Sequence, residues 1–181
     1  MKQQIKIAKG RRSSSPFASI EGAANTVIQT IQLGIPVARI EIIDEAQLRV
    51  VNAYSNPDHP DTHADTAPNA TDGSTATYWY TQTYGNQTFG GLLTGLGLVL
   101  DAGGPVKLAH VTVTTPTPGF TAEIQSGDSQ SGPFVADSPS QTVDSTTTFT
   151  LNGNTAQYYV VWITLLPPEL YAKISEVTAT S

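Results

Sequence analysis

The C-terminal two-thirds of the chain is a succession of short β-forming runs, each followed by a turn signal. Valine, threonine, isoleucine and aromatic residues dominate the runs, and no helical repeat of apolar residues lies between them. Gly, Pro and Asn-Gly signals separate the runs at intervals of roughly 8 to 12 residues, which is typical of a β-sandwich or jelly roll. The Asn152-Gly153 pair also predicts a β-hairpin between the runs that flank it. The predicted strands lie at residues 77–83, 92–101, 106–114, 120–125, 146–151, 157–165 and 171–178.

The composition agrees with this fold class. The chain has 181 residues, enough for one domain with an extension. It contains 15 Gly and 12 Pro, and only 13% of its residues are charged, which favours an all-β protein with many turns. It contains no cysteine. Disulfide bonds, zinc-thiolate sites and a cysteine nucleophile are therefore excluded.

Charge is distributed unevenly along the chain. Five of the nine Lys and Arg residues lie in the first twelve positions, so we expect residues 1–12 to form a flexible basic leader. Residues 13–181 carry 4 basic against 15 acidic side chains, a net charge of −11. A body with this charge repels phosphate backbones, so we do not expect the main domain to bind nucleic acid.

Residues 13–55 predict a small α/β extension. Apolar side chains recur at helical spacing over residues 20–31, and Gly34 and Pro36 end that helix. Residues 37–43 then predict a strand. The extension is therefore expected to be a helix followed by a strand.

The boundary of the main domain is predicted to follow this extension. Residues 44–54 fit either a second helix or a second strand, and the pattern does not decide between them. Residues 56–69 form a polar stretch with three prolines, typical of a linker. We therefore place the main domain at residues 56–181.

The sequence predicts neither a signal peptide nor a membrane span. Residues 1–10 lack the apolar stretch of ~7 to 15 residues that a signal peptide requires. No apolar run approaches the ~18 residues of a transmembrane helix. If this domain works outside a cell, we expect the chain to be a piece of a longer protein.

A short motif in the middle of the chain resembles the signature of discoidin-like domains, also called factor V/VIII type C or galactose-binding-like domains. The matching residues are Ala70, Asp72, Gly73, Thr77 and Trp79. Such domains are eight-stranded jelly rolls that mostly bind ligands and rarely catalyse reactions. The resemblance therefore implies a jelly-roll β-sandwich with a binding function.

A longer resemblance covers residues 50–181. The segment T-Q-T-Y-G-N-Q-T-F-G-G-L-L-T-G-L-G-L-V-L-D at residues 81–101, together with residues 158–167 and 174–177, resembles the extracellular C-terminal domain of actinobacterial MviN-type proteins. Those proteins are lipid II flippase homologues. The resemblance implies an extracellular or cell-envelope domain of a larger membrane protein, with a cell-envelope glycan or a partner protein as its ligand.

A third resemblance lies in the extension. Residues 17–55, which include G-I-P-V-A-R-I-E-I-I-D-E, resemble part of the substrate domain of FAD-linked D-lactate dehydrogenases. The flavin-binding domain and the histidine-rich metal site of those enzymes have no counterpart in this sequence. We therefore interpret the segment as a structural piece, and keep a fragment of a flavin-dependent oxidoreductase as an alternative.

The discoidin resemblance also implies a metal site formed by Asp72, Thr77 and Glu176. In such domains a structural Ca²⁺ is held by backbone carbonyl groups near the Asp-Gly turn, by the Asp, by the following Thr and by a Glu of the last strand. Ca²⁺ takes about 6 to 8 oxygen ligands, and these three side chains offer oxygen only. The alternative is a plain Asx-turn at Asp72 with Glu176 facing water, and the sequence leaves both open.

Three tyrosines, Tyr78, Tyr80 and Tyr84, are candidates for stacking on a sugar ring. Alternation along a strand places Trp79 on the opposite face from Tyr78 and Tyr80. We therefore assign Trp79 and Trp162 to the core and the three tyrosines to a rim that can bind a ligand, with packing of these rings in the core as the alternative.

The histidines give no convincing catalytic or metal site. His59, Asp61, His63 and Asp65 are legitimate metal ligands, but all lie in one proline-rich loop without a fourth ligand in place, so we interpret them as a solvated loop. For His110 the sequence points to no partner acid and no nucleophile.

The sequence therefore predicts a non-catalytic binding module. It contains neither a G-x-S-x-G nucleophile elbow nor a phosphate-binding G-x-x-x-x-G-K loop. A structural or assembly jelly roll of the coat or scaffold type is the first alternative to a binding module.

Overall fold

The structure is a computed structural model that describes residues 63–181 without interruption. Before residue 63 it describes four strands by their backbone and four helical residues, 25, 26, 28 and 29. The strands before residue 63 are β1 (Gln3–Ala8), β2 (Arg12–Phe17), β3 (Ile40–Ala46) and β4 (Arg49–Ser55). The strands after it are β5 (Trp79–Tyr80), β6 (Leu96–Lys107), β7 (His110–Thr114), β8 (Thr121–Gly127), β9 (Val135–Ala136), β10 (Gln141–Thr142), β11 (Thr146–Thr150), β12 (Thr155–Leu165), β13 (Lys173–Ile174) and β14 (Glu176–Thr180). Two short 3-10 helices lie at Ala64–Thr71 and Phe89–Gly91.

These strands form two large antiparallel sheets and one small ribbon. Sheet I has the strand order β11-β7-β14-β3-β1-β2. Sheet II has the order β10-β8-β12-β6-β4, and β9 pairs with β8 at its side. Strands β5 and β13 form the ribbon. The predicted all-β, discoidin-like jelly-roll β-sandwich is confirmed.

The core lies between the inner faces of the two sheets. In sheet II, Val161 of β12 is paired with Leu98 of β6 on one side and with Ile124 of β8 on the other, and all three are fully buried. Val113 of β7 and Phe149 of β11 contribute the same kind of buried side chain from sheet I. Each such side chain stabilises the fold by about 1.5 to 3 kcal/mol, so the two inner faces hold the sandwich together.

The central pair of sheet II requires glycine at one position. A Cβ on Gly97 of β6 would collide with the carbonyl oxygen of Val161 on β12. The backbones of β6 and β12 therefore approach closely at this position.

The two tryptophans have different environments. Trp79 is fully buried in the core, as predicted. Trp162 is only partly buried, so its assignment to the core is wrong. Its neighbours on β12, Val161 and Ile163, face the core, and alternation turns Trp162 to the outer face of sheet II. There its ring covers Gly95, where an added Cβ would lie 2.5 Å from Trp162 Cε2.

Two sequence predictions about turns are wrong. Residues 102–105 were expected to separate two strands, but β6 continues through them because it pairs with β12 as far as Lys107 opposite Thr155. The Asn152-Gly153 pair does not make a hairpin. Strand β11 belongs to sheet I and β12 to sheet II, so this turn carries the chain from one sheet to the other.

The strands before residue 63 are hydrogen-bonded to the sandwich. Strand β4 pairs with β6, so the strand alternative for residues 44–54 is confirmed. Strand β3 pairs with β14, and β1 lies between β3 and β2. The division of the chain into residues 1–12, 13–55 and 56–181 stays a prediction, and most of the predicted apolar helical face lies outside the described residues.

The sandwich has two ends, which we name after their turns. At one end of β14, Glu176 pairs with Thr114, and Glu176 also contacts the Asp72-Gly73 turn; we call this the D-G end. At the other end, Thr180 pairs with His110, next to the Asn152-Gly153 turn that follows β11; we call this the N-G end.

Candidate functional site

The Asp72-Gly73 turn is held by the side chain of Asp72. Its Oδ1 accepts a hydrogen bond from the Ser74 backbone N–H at 2.8 Å, and its Oδ2 accepts one from Thr77 Oγ1 at 2.7 Å. Gly73 has a φ of +81°, which glycine adopts without strain. The Asx-turn considered from the sequence is therefore present, and it brings Thr77 onto the Asp72 carboxylate.

Glu176 reaches the same turn from the other end of the chain. Its Oε2 accepts a hydrogen bond from the Gly73 backbone N–H at 2.9 Å, across 103 positions of sequence. The structure therefore brings together all three residues that the sequence proposed as metal ligands. The expectation that Glu176 would merely face water is not met.

The donors at this turn fit a hard cation. Asp72, Thr77 and Glu176 offer carboxylate and hydroxyl oxygen, which is the chemistry that Ca²⁺ prefers, and backbone carbonyl groups or water would have to complete its shell. Within the residues that the structure describes, no group of three or more His, Cys, Asp or Glu side chains converges as a metal site. A bound Ca²⁺ would tie the Asp72 turn to the last strand and stays a prediction.

An aromatic cluster follows this turn directly. Asn69 Nδ2 donates a hydrogen bond to the Tyr78 carbonyl oxygen at 3.2 Å, which fixes the backbone where the cluster begins. Trp79 points into the core, so Tyr78 and Tyr80 lie on the opposite side, both half-buried. Their rings meet edge to face with centroids 6.1 Å apart, and His63 stacks on Tyr80 at 4.0 Å with an interplanar angle of 28°. This arrangement makes a fixed aromatic surface.

Lys173 completes the cluster, and sequence reasoning missed it. Strand β13 places Lys173 opposite Tyr80, and its Nζ lies 4.1 Å from the ring centroid of Tyr78 and 5.7 Å from that of Tyr171. Distances of this kind are those of cation–π contacts. The signal that could have found it is the Tyr171-Ala172-Lys173 alternation, which puts Tyr171 and Lys173 on one face.

Tyr84 lies apart from the other two candidate tyrosines. Its ring packs edge to face against Phe89 with centroids 5.4 Å apart, and it contacts the hydrophobic core. Burial raises the pKa of the Tyr84 hydroxyl above its usual value. Its contact with a ligand stays a prediction, and among these contacts its ring partner is Phe89 rather than Tyr78 or Tyr80.

The histidine-containing loop is only partly described. His63 belongs to the aromatic cluster, and Asp65 is exposed on the 3-10 helix that follows. His59 and Asp61 lie outside the described residues. His110 is exposed on β7, between Thr150 and Thr180.

The fold resembles solved structures of family 32 carbohydrate-binding modules. One is the module of AlyQ in complex with 4,5-unsaturated mannuronic acid, with a TM-score of 0.55 and 15% identity, covering 75% of this chain and 97% of that one. A second is chitosan-binding module 1 from a chitosanase/glucanase of Paenibacillus sp. IK-5, with a TM-score of 0.58 and 15% identity over 77% of this chain and 99% of that one. A third is the family 32 module of Clostridium perfringens NanJ in complex with galactose, with a TM-score of 0.54 and 18% identity over 76% and 98%.

Sequence comparison adds one partial match. A probable mitochondrial D-lactate dehydrogenase of Danio rerio is 35% identical over 40 residues, which are 22% of this chain and 8% of the enzyme's length. The chain thus spans less than a tenth of that relative. No protein-family model matches the sequence. The structural likeness establishes the fold alone: the chain is a discoidin-like jelly-roll β-sandwich of the kind found in family 32 carbohydrate-binding modules.

Proposed function

We propose that this chain is a non-catalytic module that binds a glycan through the aromatic cluster at its D-G end. The observation that carries the proposal is the stacked and edge-to-face series His63, Tyr80 and Tyr78, which is half-exposed beside the ribbon of β5 and β13. The structural neighbours, among them modules complexed with galactose and with 4,5-unsaturated mannuronic acid, support a sugar as ligand.

The physical argument rests on the shape of a sugar. A pyranose has an apolar C–H face that suits an aromatic ring and a rim of hydroxyl groups that needs hydrogen-bond partners. In the described structure the Tyr78 and Tyr80 hydroxyl groups have no recorded hydrogen bond, so they are available to that rim. The pairing of β5 with β13 holds the rings in place before a ligand arrives, which reduces the ordering cost of binding.

The Asp72 turn has a supporting role in this proposal. Asp72 lies six residues before Tyr78, and Glu176 lies three residues after Lys173. The hydrogen bond between the Gly73 N–H and Glu176 therefore links the two segments that carry the cluster. A structural Ca²⁺ held by Asp72, Thr77 and Glu176 would strengthen that tie by attracting the oxygen donors of both segments.

The wider setting of the module also belongs to the proposal. The MviN-type resemblance supports an extracellular or cell-envelope location within a larger membrane protein, with a cell-envelope glycan as ligand. No helix in the described part of the chain is long and apolar enough to cross a bilayer. A partner protein is the alternative ligand. The net charge of residues 13–181 disfavours nucleic acid.

Two other functions have less support. A purely structural or assembly jelly roll would need no fixed aromatic surface, whereas this chain has one. A fragment of a flavin-dependent oxidoreductase rests on the 40-residue match to a probable D-lactate dehydrogenase, which covers 8% of that enzyme. A yellow colour of the purified protein would favour this last alternative.

The test is a binding measurement on the intact chain. Ligand-observed NMR with galactose, N-acetylgalactosamine, glucosamine and galacturonate should detect at least one bound sugar. Tyr80→Leu keeps an apolar side chain but removes the ring, so it should weaken binding by about tenfold. The matched control is Tyr158→Leu, because Tyr158 is also half-buried but lies at the N-G end of β12.

If Tyr80→Leu and Tyr158→Leu lose the same amount of sugar affinity, or if both bind the sugar equally well, the proposed site is contradicted. A melting curve of each variant separates loss of the site from loss of the fold. Retained binding after Tyr80→Leu would place the sugar elsewhere on the sandwich.

A further inference from the structure

We infer that the aromatic cluster selects a sugar whose ring carries a carboxylate, and that Lys173 is the residue that binds this carboxylate. The inference rests on the proposed function, because it names the class of sugar that the same site takes. It assigns to Lys173 a specificity-determining role.

Positive charge is scarce in the described domain. Residues 63–181 contain two basic side chains, Lys107 and Lys173, against nine acidic ones. Lys107 lies exposed at the N-G end, next to Gly153. The other lysine is held over the aromatic cluster. A cation at this place adds Coulomb attraction for an acidic sugar and little for a neutral one.

The backbone of Lys173 is fixed from both sides. Its N–H donates a hydrogen bond to Thr117 Oγ1 at 2.8 Å, and its carbonyl oxygen accepts one from Thr115 Oγ1 at 2.6 Å. Both threonines are buried, with 4% exposure for Thr115 and 8% for Thr117. The side chain therefore starts from a defined position beside Tyr80.

The ammonium group of Lys173 is oriented by the aromatic rings beside it in the described structure, but they do not neutralise its charge. Its recorded contacts in the described structure are the faces of Tyr78 at 4.1 Å and Tyr171 at 5.7 Å, and no ion pair or hydrogen bond of Nζ with a described residue is recorded. A cation–π contact uses the electrostatic field of the ring and leaves ammonium N–H donors for an oxygen ligand. An anionic oxygen gives a lysine a larger Coulomb gain than a neutral hydroxyl group does, and the carboxylate is the anionic group of the uronic and sialic acids.

The ring surface and the cation lie within the span of one monosaccharide. Tyr78 touches both Tyr80, at 6.1 Å between ring centroids, and Lys173. A pyranose stacked on the tyrosines can therefore direct a carboxylate at its edge towards the lysine. The net negative charge of the domain opposes this only weakly, because charges farther away than the Debye length of ~8 Å are screened at physiological ionic strength.

The experiment compares sugars that differ in this one group. Galacturonate and galactose differ by a carboxylate in place of a CH₂OH group, and glucuronate and glucose form a second such pair. Binding of each to the intact chain is measured by NMR titration at low salt, and N-acetylneuraminate serves as an arm that distinguishes sialic acids from uronic acids. We expect the acidic sugar to bind about fivefold more tightly than its neutral counterpart, and this preference to shrink as salt is added.

Two lysine variants test the assignment. K173M keeps most of the apolar stem and removes the charge, so on this variant galacturonate and galactose should bind with equal affinity. K107M, the matched control at the N-G end, should keep the preference.

Each other outcome overturns the inference in a recognisable way. Equal affinity of galactose and galacturonate would reject it and leave the proposed glycan site intact. A preference that survives K173M would place the carboxylate at another residue. Absence of binding by every sugar would reject the proposed site together with the inference.

Discussion

Each end of the sandwich has a carboxylate near a turn, but the two carboxylates differ in their burial and in their hydrogen bonds. At the D-G end, Asp72 is exposed and both of its oxygens accept hydrogen bonds from the turn that it stabilises. At the N-G end, Asp137 is fully buried. Its Oδ1 accepts only a long hydrogen bond, 3.4 Å from the Asn154 backbone N–H, and its Oδ2 has no hydrogen-bond partner in the described structure.

This difference fits the proposal that the D-G end binds a ligand and the N-G end has a structural role. A carboxylate at the surface can exchange a backbone partner or water for a metal ion at little cost, whereas a buried one cannot reach a ligand without opening the fold. Tyr159 shows the structural character of the N-G end: its hydroxyl group donates to the carbonyl oxygens of Val106 at 2.7 Å and Asn154 at 3.2 Å. We therefore expect ligand effects at the D-G end and folding effects at the N-G end.

The largest expected effect concerns Ca²⁺ at the D-G end. If the ion binds only the folded state, free Ca²⁺ at ~100 times its dissociation constant stabilises the protein by about 2.7 kcal/mol, several degrees of melting temperature. A chelator should therefore lower the melting temperature of the unmodified protein and leave that of Asp72→Ala unchanged. Differential scanning calorimetry measures both.

The control for this experiment is Asp128→Ala, an exposed acid at the N-G end, which should respond to the chelator like the unmodified protein. If the chelator changes none of the melting temperatures after every tightly held ion has been removed, Asp72 is a turn residue only.

The next effect concerns Tyr159 at the N-G end. Tyr159→Phe removes the hydroxyl group and leaves the carbonyl oxygens of Val106 and Asn154 without this donor, which should lower the free energy of unfolding by about 1 to 2 kcal/mol. Urea denaturation measures this change. Tyr158→Phe, on the neighbouring position of β12, should change it by less than about 0.5 kcal/mol. A similar loss in both variants would show that the buried hydroxyl group has no special role.

A smaller effect compares the glycines of the two turns. Gly73 and Gly153 have φ values of +81° and +92°, so alanine at either position should destabilise the fold by about 1 to 2 kcal/mol. A new Cβ at Gly73 meets nothing within 4 Å, whereas at Gly153 it would lie 2.6 Å from Lys107 Cε. Because the end of a lysine side chain moves easily, the two losses should differ by less than about 0.5 kcal/mol. A far larger loss at Gly153 would mean that Lys107 is fixed in place.

The smallest effect is the response to alkaline pH. Burial raises the pKa of Tyr159 and outweighs a backbone hydrogen bond from Leu108 that lowers it; the negative charge of Asp137 adds a smaller rise, and a backbone hydrogen bond from Ala156 lowers it least. The folded state therefore keeps this proton longer than the unfolded state, whose tyrosine pKa is ~10. The resulting stability is complete below that pH and is lost as the pH rises through the folded pKa. Unfolding free energies measured above pH ~10 should fall less steeply in Tyr159→Phe than in the unmodified protein, while the raised pKa of Tyr84 affects both alike. Equal slopes would contradict a perturbed Tyr159.

Much of the fold could be predicted because the relevant patterns are local. The β-forming runs around residues 120–125 and 157–165 became β8 and β12 with small changes at their ends. The opposite orientation of Trp79 and its tyrosine neighbours follows from the two-residue period of a strand, and it is correct.

The wrong or missing predictions concern residues whose local pattern fits more than one strand pairing, more than one face of a strand or more than one distant contact. Asn152-Gly153 has the residues of a hairpin turn, but a turn sequence does not say which sheet the next strand joins. Trp162 looks like a core residue by size, but its position on β12 relative to Val161 and Ile163 sends it to the outer face. Lys173 was missed because the local alternation shows only that it shares a face with Tyr171, whereas its contact Tyr78 lies almost a hundred residues earlier.

The sequence by itself determined the fold class, the turn at Asp72-Gly73 and the separation of core and surface positions along β5, because each depends on contacts over a few residues. Only the tertiary structure decided that Glu176 accepts a hydrogen bond from Gly73 and that the Lys173 ammonium group lies over the Tyr78 ring. Both contacts depend on how β13 and β14 pair with strands far away in the chain. That pairing is fixed because the inner faces of both sheets are buried together, and no local propensity specifies it.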